Sequence, residues 1–348
     1  MKKLFILTIF VMSMIGFANA TILTVSNTNN LPGGPGQYTT PQAAHDAAYS
    51  GDTILIQGTP NSYPDLNITK KLAIFGPGYN PQRENTNKAT ISTIYLQNGS
   101  AGTVIAGMYI SGSITFNSMS IASSNYSFYR NYVGSIQIYY PGGSGVISNV
   151  NIYNNILGNV NGWNDANTIN WVVSNNLIFG SVYNFNQTSI QIKNNLFITA
   201  SGTGLNNLTN CVISNNIFYG TSPNNSNVTL CAFNNNLTYN CTNPNLPYGT
   251  NVGSGNKNSI DPMFLNVPGT TITYTYNYRL NSSSPAKNAG TDATDIGLTG
   301  GTYPIYQSTT EFLTGEPPIP KITSLNITNS SVPAGGNLQF QVKAKKVN

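Results

Sequence analysis

IYNNILG (Ile152 to Gly158), VSNNLIFG (Val173 to Gly180), IKNNLFI (Ile192 to Ile198) and ISNNIFYG (Ile213 to Gly220) are four copies of one phrase. Each is an alternating apolar strand, a pair of asparagines and two or three further apolar residues. Looser copies flank them, FYRNYVG ending at Gly134 and FNNNLTY beginning at Phe233. Aligned on the second asparagine, the anchors are Asn131, Asn155, Asn176, Asn195, Asn216 and Asn236, spaced 24, 21, 19, 21 and 20 residues apart. A period this short, with one strand-turn-strand unit per copy, predicts a stacked solenoid.

The columns of the repeat show which side chains point inward. Three residues before the anchors stand Phe128, Ile152, Val173, Ile192, Ile213 and Phe233, and five before stand Tyr126, Val150, Trp171, Ile190, Cys211 and Cys231. The column at minus two is mostly polar or amphipathic: Tyr129, Tyr153, Ser174, Lys193, Ser214 and Asn234. This is period-2 alternation with one buried face. Tyr132, Ile156, Leu177, Leu196, Ile217 and Leu237 follow the anchors, so the chain is expected to turn at the asparagines and bury apolar residues again. Short strands bent round a common core predict a parallel β-helix, with turns about 4.8 Å apart. Each amide carries a donor and an acceptor, so one asparagine per turn can bond up and down the stack, and asparagine tolerates the left-handed backbone of a tight bend. The competing use, a row of exposed amides meeting sugar or ice, is the weaker reading.

Composition narrows the function. Lys2 and Lys3, the apolar run Leu4 to Phe17 and the small-residue site Ala18-Asn19-Ala20 read as a processing signal covering residues 1–20. The protein is therefore expected to be secreted or held at the cell surface, with no transmembrane segment after cleavage. The chain has 15 Lys and Arg against 10 Asp and Glu, a small and scattered excess that argues against a nucleic-acid partner. Three cysteines leave at least one thiol unpaired. Cys211 and Cys231 share a column one turn apart, so they are either a disulfide or two packed thiols, and Cys241 is an alternative partner for Cys231.

The solenoid needs closed ends. Thr21 to Ser26 alternates as a strand, and Thr40-Pro41 opens a short helix through Ala43, Ala44, Ala47 and Ala48, with Gly51 as terminator. Asp52 to Ile56 and Leu66 to Phe75 supply the first turns, Pro77 to Lys88 is a loop, and VIAGMYISG (Val104 to Gly112) fits the phrase with Gly107 at the anchor. The opening PQAAHDAAYSGDTILIQG (Pro41 to Gly58), ITKKLAIFGPG (Ile68 to Gly78), the paired asparagines, DPMF (Asp261 to Phe264) and YRLNSSSPAKNAG (Tyr278 to Gly290) resemble the right-handed parallel β-helix proteins of the pectate-lyase-like superfamily. The resemblance runs from Thr21 to Gly301. It implies an all-β chain, a right-handed parallel β-helix solenoid with a short N-terminal capping helix and a small C-terminal β extension. It says little about function, because such proteins include lyases, hydrolases, epimerases, binding proteins and adhesins. The organisation read from the chain is a leader (1–20), a β-helix with end caps (21–301), a stiff linker (302–320) and a β-hairpin-like tail (321–348). The tail resembles the start of an immunoglobulin-like module.

Polysaccharide cleavage needs charge. Glycoside hydrolysis ordinarily uses two carboxyl groups about 5 to 10 Å apart. Pectate-type elimination, as the resemblance implies, uses acidic calcium ligands and a basic residue. Residues 100–250 carry only Arg130, Asp165 and Lys193 as charged side chains, and these are the sole catalytic candidates there, with a tyrosine as an alternative base. His45 belongs to the capping helix and is expected to be an ordinary, partly exposed histidine. The favoured reading is a non-catalytic scaffold or adhesin that binds polysaccharide through Tyr129, Tyr139, Tyr140, Tyr153 and Trp163, since rings stack on sugar faces. The alternative is a polysaccharide lyase or another carbohydrate-active enzyme. Tyr274, Tyr276 and Tyr278 are expected on one face of a strand from Thr271 to Tyr278, a stripe that could stack on sugars but more often covers the core of a final turn. No cofactor is expected: Asp292 and Asp295 make a poor calcium site and suit a turn better.

Overall fold

A computed structural model describes residues 20–28, 34–80, 86–139, 144–163, 167–223, 225–305, 315–329, 331–332 and 334–346. Residues 1–19 of the leader, together with Arg83, Glu84, Tyr140 and Asp165, lie outside the described residues.

The chain is a parallel β-helix. One sheet of eleven strands runs from Gln37–Tyr38 through Ile22–Val25 to Ala232–Asn234. A second runs from Leu66–Ile68 to Leu237–Tyr239, and its side branch (Val182–Asn186, Leu205–Thr209 and Val228–Thr229) makes a third face. The repeat columns are the strand register itself: Phe128 pairs with Ile152, Ile152 with Val173, and so on through Ile192 and Ile213 to Phe233. Both inward columns are fully buried. Cys211, Cys231 and Cys241 are free thiols, and Cys211 and Cys231 pack as small apolar groups in the core.

At the first end sits helix α1 (Pro41–Ala47), capped by Thr40 Oγ1, which accepts from Ala43 N at 3.2 Å. It stops at Ala47, with Ala48 already extended, so Gly51 closes the following turn and not the helix. His45 is buried, contrary to expectation. Its Nε2 accepts from Thr69 N at 3.1 Å and its Nδ1 lies 2.9 Å from Asp46, so the ring ties the helix to the second turn. Among the described residues no helix is long and apolar enough to cross a membrane.

The two asparagines of each pair do different work. The second is a buried ladder. Asn155 Oδ1 accepts from both the backbone N (2.9 Å) and Nδ2 (3.1 Å) of Asn131, and the same pair of bonds recurs from Asn155 to Asn176, Asn195, Asn216 and Asn236. Each Nδ2 from Asn155 to Asn216 also donates to a carbonyl of the preceding rung, as Asn195 does to Val173 at 2.8 Å. The ladder runs one rung past the sequence repeat, to Asn256. At its other end Met108 N donates to Asn131 Oδ1. Strand pairing of Ala106 with Tyr129 puts Met108 in the anchor column and Gly107 opposite Arg130, one residue from the place the phrase suggested.

The first asparagine takes the left-handed backbone: φ is 56° at Asn154, 54° at Asn175, 55° at Asn194, 57° at Asn215 and 51° at Asn235. Arg130 (54°) and Gly107 (72°) occupy the same corner in the earlier turns. The outward amides grip a C-terminal strap that climbs back along the stack. Asn235 donates to Ala289 O at 2.8 Å, Asn194 to Asp295 O at 3.2 Å and Asn175 to Gly300 O at 2.7 Å. Asn215 exchanges two bonds with Thr291. Higher still, Tyr303 stacks on Tyr153 with centroids 4.1 Å apart, and Arg130 Nη1 donates to Glu316 O at 2.8 Å.

This strap corrects the reading of the column after the anchors. Ile156, Leu177, Leu196, Ile217 and Leu237 point out of the coil, not into its core, and they are buried because Tyr278, Leu280, Ala286, Ile296 and Leu298 pack over them. Thr271 to Tyr278 is likewise no strand; only Asn277–Leu280 pairs, antiparallel to Phe264–Asn266. Within the stretch read as a linker, Ile305, Glu316 and Pro317 are buried. The tail forms the hairpin Pro320–Ile327 with Phe340–Lys346.

The two asparagine roles have separable energetics. Asn195→Ala strips a buried rung: the Asn176 backbone N–H is orphaned, at about 1–3 kcal/mol, and the Nδ2 bonds to Val173 O and Asn216 Oδ1 go with it. Asn194→Gly loses two bonds to the strap, the second 3.4 Å long, but takes the left-handed corner without strain, costing about 1–2 kcal/mol. In urea unfolding, Asn195→Ala is expected to lower the midpoint more than Asn194→Gly; a larger shift in Asn194→Gly would refute the division of labour.

Candidate functional site

The outward column continues above the rungs on which the strap packs tightly. In register with Ile156 come Tyr132 and then Tyr109, and their rings stack at 4.5 Å and 10°. Phe179 reaches Tyr132 from the far side, with centroids 6.0 Å apart and an interplanar angle of 27°. It lies across Gly158, where an added Cβ would come within 3.2 Å of Cε2 of the ring. Gly158 and Gly134 belong to the second bend of each turn, where carbonyls of the previous rung approach within 2.3 and 2.5 Å of a built Cβ. Only glycine fits that close approach, and the missing side chain at Gly158 leaves the seat in which the Phe179 ring lies.

The strap supplies the opposite wall through Thr270, Thr271, Ile272 and Tyr274, and the space between is a groove of about 550 Å³. That is a usual size for a ligand site. Buried Tyr79 joins the two walls, 6.4 Å from Tyr132 and 6.2 Å from Tyr274. Lys88 sits at the end of the row, its Nζ 4.1 Å from the Tyr109 ring centre. No carboxylate or histidine is among the described residues lining the groove.

Burial raises the phenol pKa of Tyr132, helped by the neighbouring Tyr109, and burial likewise raises those of Tyr129, Tyr153 and Tyr274. A tyrosine acting as a proton-abstracting base needs a shift in the opposite direction.

The residues singled out from sequence fall into three places. Tyr129 and Tyr153 stack on each other at 4.9 Å, but Tyr303 of the strap covers Tyr153, so this pair is a clamp for the strap. Tyr139 and Trp163 meet edge to face at 6.4 Å, 49% and 46% exposed, on another face of the stack. Arg130 and Lys193 are not brought together: Arg130 holds the strap, while Lys193 Nζ donates to Gln191 Oε1 at 3.0 Å. Three rungs separate them, about 14 Å at the strand spacing. Asp292 and Asp295 are used within the strap. Asp292 Oδ1 accepts from Thr294 N and Oγ1, and Asp295 accepts from Asn288 N, Thr299 Oγ1 and Lys287 Nζ. Among the described residues no group of three or more His, Cys, Asp or Glu side chains is placed to hold a metal.

The groove residues Tyr109 and Phe179 were not singled out from sequence, and Tyr274 reads there chiefly as cover for the final turn. The signal was partly there, because Tyr132 stands in the anchor-plus-one column, but that column reads as core until the strap is known.

No protein-family model matches the chain, and no curated protein sequence matches it. Among solved structures the chain is similar to pectate lyase Pel9A, with a TM-score of 0.41 and 15% identity over 81% of this chain and 96% of that one.

The two tryptophans report on the two aromatic surfaces. Trp171 is buried, with Nε1 donating to Ile147 O at 3.0 Å, while Trp163 is exposed. Iodide is expected to quench only Trp163. A ligand seated in the groove leaves that quenching unchanged, whereas one seated on the Tyr139–Trp163 edge protects it.

Proposed function

We propose that the protein is an exported, non-catalytic β-helix that holds a polysaccharide chain in the groove between its second sheet and the C-terminal strap. The observation that carries this reading is the ring row Tyr109, Tyr132 and Phe179 facing Tyr274. Stacked on one another, these rings turn their edges and the tyrosine hydroxyls to the groove, an apolar wall with polar tips that suits the C–H groups and hydroxyls of successive sugar units. The rung spacing sets Tyr109 and Tyr132 one strand apart, and the groove lining runs along the stack from Tyr109 through Ile156 to Ile198, which leaves room for a chain instead of a single small molecule. The sparse charge of the stack supports binding over cleavage, since neither paired carboxylates nor a base with a lowered pKa faces the groove among the described residues.

Affinity electrophoresis through gels containing neutral or acidic polysaccharides tests the proposal. Tyr132→Ala is expected to weaken retention about tenfold, the effect of about 1.4 kcal/mol, and Trp163→Ala is expected to leave it unchanged. Loss of retention in Trp163→Ala alone would move the site to the Tyr139–Trp163 edge. Release of unsaturated sugars that disappears in Arg130→Ala or Lys193→Ala would make the protein a lyase and overturn the non-catalytic reading.

A further inference from the structure

Among the described residues, the first backbone group with a hydrogen-bond partner lies directly after the small-residue site Ala18-Asn19-Ala20. Thr21 N donates to Asp52 Oδ1 at 2.7 Å, Thr21 O accepts from Thr53 N at 2.9 Å, and the first strand begins at Ile22. Asp52 is 3% exposed. Its other oxygen accepts from Tyr49 N at 2.8 Å, so one carboxylate ties the end of the capping helix to the start of the chain. Among the described residues no lysine, arginine or histidine side chain forms an ion pair with it. A buried carboxylate held only by neutral amide donors is costly to desolvate and gains from a cation.

We infer that Thr21 is the N-terminus of the mature protein, and that its α-ammonium is the missing cation for Asp52. The step is hydrolysis of the Ala20–Thr21 peptide bond by a signal peptidase. Water adds its oxygen to the Ala20 carbonyl carbon, the C–N bond breaks, Ala20 leaves as a carboxylate and the Thr21 nitrogen takes the protons. An α-amino group has a pKa of about 7.7–8.0, so near neutral pH most chains carry the charge. The donor already aimed at Asp52 then becomes a charged one, with a bond about twice as strong. Thr21 is exposed, so the remaining ammonium protons are free to meet water. Processing would thus do more than remove a leader: it would tighten the cap that closes the first end of the stack.

Two measurements test this. N-terminal sequencing of the exported protein is expected to read Thr-Ile-Leu-Thr-Val. The pairing is then measured in chains beginning at Thr21, with a free or an acetylated amino group, each with and without Asp52→Asn. Acetylation keeps an N–H and removes the charge. The drop in thermal midpoint caused by Asp52→Asn is expected to be about twice as large in the free-amine chain as in the acetylated one. A mature chain beginning elsewhere, or equal drops in both backgrounds, would overturn the inference. Should Asp52→Asn fail to fold, acetylation of the unsubstituted chain alone is expected to lower its midpoint, and an unchanged midpoint would be equally fatal.

Discussion

A coil of parallel strands must turn a corner on every rung, and each corner strands backbone groups that no neighbouring strand can pair. The buried amide ladder from Asn131 to Asn256 meets that constraint. Each side chain takes two protons from the preceding rung and returns its own to carbonyls and to the next rung, so the corner is dry and nearly saturated. Such a ladder permits no slippage between rungs. It fixes the register of both sheets and thereby stacks like on like through the core.

The same corner forces the first asparagine of each pair into the left-handed region and points its amide outward. There it meets the strap, which packs down on the outer aliphatic column of the lower rungs and stands off beside Tyr109 and Tyr132 as the far wall of the groove. The groove is thus a consequence of where tight packing ends. A sheet face that would otherwise expose a long apolar patch is closed over five rungs and left open where the column changes from aliphatic to aromatic. Neutral amides finish the remaining corners, as in the more open ladders Asn125–Asn149–Asn170 and Asn161–Asn184–Asn207. This explains how a chain with only 7% charged residues covers so much surface.

The coil was legible in the sequence because its period, inward columns and paired asparagines are local signals repeated many times. The strap was not. Its contacts join residues about 50 to 190 positions apart and carry no period, so Tyr153, Arg130 and Leu196 looked like surface, site and core when each is a seat for the strap. Gly107 was misplaced by one residue for a related reason: in that turn methionine replaces the anchor asparagine, and glycine, which resembles a turn anchor, supplies only the backbone bend. Trp163 and Tyr139 did meet, but on an edge away from the groove.

The claim on which the account turns is that the second asparagines form a dry, cooperative ladder. Side-chain amide exchange, followed by NMR after transfer into heavy water, measures it directly. The Nδ2 protons of Asn155, Asn176, Asn195 and Asn216 should persist long after those of Asn149 and Asn170 have gone. If both sets exchange together, the inner amides are open to water and the ladder does not hold the coil.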